Sequence, residues 1–110
     1  MENKQFIDSL LGLLAIDSVA YVDADEAHPY GKKVSEALDY VLKLSEELGI
    51  RTVNRDGQIA WCEIGEGDEI VGVLGHLDIV PEKNQDTVHD WEKDGLKLQV
   101  NGDILTDIVT

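Results

Sequence analysis

The sequence predicts an α/β fold in which two main helices pack on a mixed β-sheet. Residues 4–16 and 34–48 repeat apolar side chains at the spacing of an amphipathic helix. Residues 69–81 begin as a run rich in β-branched side chains, which is typical of a strand buried on both faces of a sheet. Short stretches joined by Asp-Gly and Asn-Gly pairs add hairpins. The length of 110 residues suits one small domain, residues 1–110.

The two helices differ in the strength of their pattern. The first is predicted over residues 4–16, and a polar, solvated loop is predicted over residues 17–30. The second has the clearer 3.6-residue period, with Pro29 near its entry and Gly49 as a left-handed cap behind it. We expect this second helix to cover one face of the sheet. Its apolar positions are Val34, Ala37, Leu38, Val41, Leu42 and Leu48.

Two hairpins are predicted around the turn signals. A strand over residues 51–53 should return over residues 58–64, where Trp61 and Cys62 are expected in the core. A second hairpin should run over residues 96–100 and 104–109. His89, which precedes this hairpin, is expected at the surface.

The stretch 69–81 carries the chemistry. His76 and Asp78 stand two residues apart near its end, so in a strand their side chains point to the same side. We expect them at the carboxyl end of a central strand, where open α/β sheets bind ligands. A neutral imidazole is a good zinc ligand, and a neighbouring carboxylate can fix its tautomer. The alternative is a polar strand end with one satisfied histidine.

The surroundings of this pair favour the metal site. The segment Gly-His-Leu-Asp-Ile-Val-Pro at residues 75–81 resembles the first metal-binding motif of the co-catalytic zinc exopeptidases. That family includes aminoacylases, acetylornithine and succinyl-diaminopimelate deacylases, carnosinase-like enzymes and the PepV-type dipeptidases. The similarity is greatest to the PepV branch. It extends upstream through residues 29–31, 36–41, 48–49 and 65–67 and is poor after Pro81.

The resemblance implies a three-layer catalytic domain and two zinc ions that activate a water molecule against a dipeptide or N-acyl amino acid. Manganese or cobalt could replace zinc. His76 then corresponds to the first metal ligand, and Asp78 to the catalytic-site carboxylate that supports it. No later ligand can be matched, and Asp107 lacks the context of the bridging aspartate. The chain is therefore predicted to be an amino-terminal part of a metallodipeptidase that is inactive by itself.

Two other interpretations remain open at this stage. The first is a non-catalytic α/β binding or scaffold module derived from a peptidase. The second is an unrelated small α/β domain in which residues 75–81 match by chance. A central strand that lacks neighbours would have an unpaired edge, so self-association through this edge is also expected.

Composition excludes some partners. The formal net charge of -14 argues against nucleic acid and against anionic membranes, since both would repel the chain. No run approaches the roughly 18 apolar residues of a membrane span. Cys62 is the single cysteine, so an internal disulfide is impossible. A cytoplasmic location is the default expectation.

Overall fold

A computed structural model describes residues 3–81 together with the strands at residues 98–101 and 104–107. The chain divides into two compact units, each of which is described by itself. One comprises Met1–Asp17 with Val80–Thr110, and the other comprises Ser18–Ile79. The expectation for His89 lies outside the described residues. The single domain predicted from the length stays a prediction.

In the first unit the described elements are one helix and one hairpin. Helix α1 spans Asn3–Leu14, close to its predicted bounds, and a Lys4–Asp8 ion pair lies on its exposed side. The predicted hairpin forms between two antiparallel strands, which pair Asn101 with Ile104 and Leu98 with Asp107. These strands, the third and fourth in the chain, span Leu98–Asn101 and Ile104–Asp107.

Helix α2, Lys32–Glu47, is the longest element of the second unit. Gly31 precedes its first residue with a φ of 113°, and the helix begins three residues later than an entry at Pro29 would place it. Its carboxyl terminus forms a Schellman motif, as Gly49 predicts. Gly49 N donates to Glu46 O at 2.9 Å, and Ile50 N donates to Ser45 O at 2.9 Å. Ala37 and Leu42 are its buried side chains.

Strands β1, Arg51–Arg55, and β2, Ile59–Glu63, form an antiparallel hairpin beside α2. The Asp-Gly turn is confirmed: Asp56 and Gly57 both have positive φ, and the side chain of Asn54 accepts a hydrogen bond from Gly57 N at 2.9 Å. Contacts with α2 position the hairpin. Thr52 Oγ1 donates to Glu46 at 3.0 Å, and Cys62 Sγ lies 3.4 Å from Ser45 Oγ.

The α/β class and its two helices are confirmed, but the central strand is not formed. Residues 69–75 belong to no strand, and the described strands make two separate two-stranded antiparallel sheets rather than one mixed sheet. The four large apolar residues of this stretch are 91–96% exposed: Ile70, Val71, Val73 and Leu74. A strand requires a hydrogen-bonded neighbour, and within the described part of the chain this stretch has none.

The predictions for Trp61 and Cys62 are also wrong. Trp61 is 37% exposed and donates through Nε1 to Glu63 at 3.0 Å, and Cys62 is an exposed free thiol. The absence of further strands explains this exposure, because a two-stranded hairpin covered by one helix cannot enclose large side chains as a wider sheet would.

Among the described residues, neither helix combines the length and apolar character that crossing a membrane requires.

Two glycines with positive φ provide a test of how the second unit is held together. A Cβ on Gly31 would lie 2.7 Å from the carbonyl oxygen of Val22, whereas a Cβ on Gly49 would meet nothing within 4 Å. Gly49→Ala should cost only the left-handed backbone penalty, about 1–2 kcal/mol. Gly31→Ala adds a backbone clash, and its total cost should approach about 3 kcal/mol.

Urea unfolding followed by circular dichroism measures both glycine variants against the unmodified chain. Equal losses of unfolding free energy in the two variants would show that the close approach between Gly31 and Val22 does not constrain the loop before α2.

Candidate functional site

His76 and Asp78 meet, although no strand holds them. Nδ1 of His76 lies 3.0 Å from Oδ1 of Asp78 and 3.1 Å from the Asp78 carbonyl oxygen. The side chains are 80% and 47% exposed, so solvent and solutes reach both. The predicted proximity of the two side chains is therefore present, but the i, i+2 contact arises in an irregular segment rather than at a strand end.

This geometry defines the histidine tautomer. Both partners of Nδ1 are acceptors, a carboxylate oxygen and a carbonyl oxygen. A hydrogen bond to either requires the proton on Nδ1, and a neutral imidazole then carries its lone pair on Nε2. A lone pair on Nε2 with Nδ1–H held by a carboxylate is the arrangement of a metal-binding histidine and its supporting acid. The same lone pair could also accept a proton.

Ser18 holds the backbone on both sides of Asp78. Its hydroxyl donates to the carbonyl oxygen of Leu77 at 2.6 Å, and its own carbonyl accepts from Ile79 N at 3.1 Å. Val19 and Ile79 form an isolated parallel bridge at the same place. Ser18 is 4% exposed and is the buried polar residue of the described core. No sequence signal distinguishes it from other loop serines, and the sequence analysis missed it.

An open cleft of about 700 Å³ adjoins the pair. Helix α2 contributes apolar side chains to one wall, strand β2 contributes another wall, and His76 and Asp78 lie on the lining with Tyr21 and Tyr30. The two tyrosine rings contact edge to face, with centroids 6.3 Å apart. A cleft of this size with mainly apolar walls and a few polar groups suits a small organic ligand. Its aromatic lining was not predicted from the sequence.

A second His–Asp pair provides a contrast. His28 Nδ1 lies 2.7 Å from Asp25 Oδ1, and the hydrogen bond from the His28 side chain lowers the pKa of Asp25 below its usual value. The same Asp25 oxygen also accepts from His28 N at 2.8 Å. Asp25 therefore stabilises a turn within the loop that was predicted over residues 17–30. This pair does not line the cleft, so its chemistry is that of a surface turn.

Zinc sites in proteins normally use three or four protein ligands. In residues 3–81, the part whose side chains the structure describes, no group of three or more His, Cys, Asp or Glu residues could hold a metal ion. The contact between His76 and Asp78 has the geometry of one metal ligand and its supporting carboxylate. They do not make a complete zinc site by themselves.

Curated proteins that resemble this chain are named as dipeptidases. No family model matches the chain. A protein of Staphylococcus haemolyticus named "Putative dipeptidase" is 34% identical over 102 residues, which are 92% of this chain and 21% of that protein. A Staphylococcus saprophyticus protein of the same name is 36% identical over 104 residues, 93% of this chain and 21% of its own length.

A third relative matches a shorter part of the chain at higher sequence identity. "Putative dipeptidase YtjP" of Bacillus subtilis is 45% identical over 58 residues, 53% of this chain and 12% of that protein. The chain thus spans about a fifth of the length of the staphylococcal relatives it matches. These relatives support a dipeptidase-like origin for the chain.

Removing the Ser18 hydroxyl should loosen the segment that carries the His76–Asp78 pair. Ser18→Ala leaves the Leu77 carbonyl without its partner, which should cost about 1–2 kcal/mol of unfolding free energy. Ser18→Thr retains a hydroxyl and is the matched control. Urea unfolding gives the stability, and the ¹⁵N shifts of the His76 ring report the fraction of the Nδ1–H tautomer. An unchanged tautomer fraction in Ser18→Ala would contradict a positioning role.

Proposed function

We propose that this chain is the amino-terminal part of a zinc-dependent dipeptidase or related amidohydrolase of the co-catalytic zinc exopeptidase family, closest to the PepV-type enzymes. The observation that carries the proposal is the 3.0 Å contact between His76 Nδ1 and Asp78 Oδ1, beside an open cleft. The dipeptidase-named relatives support the same direction. The complete enzyme would have a three-layer catalytic domain and would act in the cytoplasm.

In this proposal His76 is the zinc ligand, and it binds through Nε2. Asp78 is the catalytic-site carboxylate that keeps the proton on Nδ1 and fixes the plane of the ring. Bound zinc would supply a water molecule of lowered pKa and polarise the carbonyl under attack. Manganese or cobalt could serve in the same position. Ser18 keeps the two side chains in register by holding the backbone at Leu77 and Ile79.

The cleft supports a small substrate. Its volume of about 700 Å³ is in the range that accommodates small organic ligands, and its walls are mainly apolar. A dipeptide or N-acyl amino acid with an apolar side chain fits this chemistry, because its side chain could lie against the walls while its amide reaches His76. A net charge of -14 disfavours strongly anionic substrates.

The chain by itself is proposed to be inactive, and to bind metal weakly. One histidine with one supporting carboxylate leaves zinc largely coordinated by water. Within residues 3–81 no group of three or more His, Cys, Asp or Glu side chains could hold a metal ion, and this observation favours a second candidate. That candidate is a non-catalytic binding module that uses the cleft without hydrolysis. The two candidates differ in whether metal binding depends on His76.

Zinc titration by calorimetry tests the role of His76. We expect weak binding that His76→Ala abolishes and that His28→Ala preserves. His28→Ala is the matched control, because it removes a histidine that contacts an aspartate at a similar distance but lies outside the cleft. Binding that survives His76→Ala and disappears in His28→Ala would refute the assignment.

A panel of dipeptides assayed with zinc, manganese and cobalt tests the activity. The chain alone should give no hydrolysis above background, whereas a full-length dipeptidase of the same family should be active in parallel as the positive control. Hydrolysis that depends on the chain would disprove its proposed inactivity. Binding of intact dipeptide without any His76-dependent metal binding would favour the non-catalytic module.

A further inference from the structure

We draw no further inference here: the strongest candidate, the edge-to-face pair of Tyr21 and Tyr30 on the wall of the cleft beside α2, belongs to the site already described, and nothing in the structure shows what covers it.

Discussion

A β-strand is stable only when another strand satisfies its backbone, and this constraint governs the second unit of the molecule. Residues 69–75 have the composition of a buried central strand, yet their apolar side chains are almost fully exposed. Hydrophobic composition alone does not make a strand, because the unpaired N–H and C=O groups gain nothing from it. Backbone pairing begins only beyond the segment, at the parallel bridge between Val19 and Ile79.

The same constraint explains which elements could be predicted from sequence. Helix α2 and the two hairpins close their hydrogen bonds with residues that are near in the chain, so periodicity and turn residues were sufficient. Gly49 predicted a helix end because a Schellman motif is a local structure. The mixed sheet and the burial of Trp61 depend on strands from distant positions. A local pattern cannot show whether such neighbours are present.

The residues of the candidate site also differ in whether a local sequence pattern can predict them. His76 and Asp78 are two residues apart, so a local sequence pattern is enough to predict their contact, although the predicted strand does not form. Ser18 contacts Leu77 across 59 positions of sequence, and nothing in a single sequence marks such a partner. The lining of the cleft, including Tyr21 and Tyr30, likewise depends on tertiary packing. Predicting these residues requires knowledge of the fold.

The two His–Asp pairs show why chemistry and position must be read together. At 2.7 Å and 3.0 Å the pairs have similar geometry, and each histidine contacts a carboxylate through Nδ1. Asp25 accepts from both the backbone and the ring of His28, so it serves the turn in which it lies. Asp78 instead follows a backbone carbonyl held by Ser18 and lies on the cleft with His76. An imidazole that is oriented by a carboxylate and presented to a solute-accessible cavity can bind or react, whereas one that only closes a turn stabilises the loop.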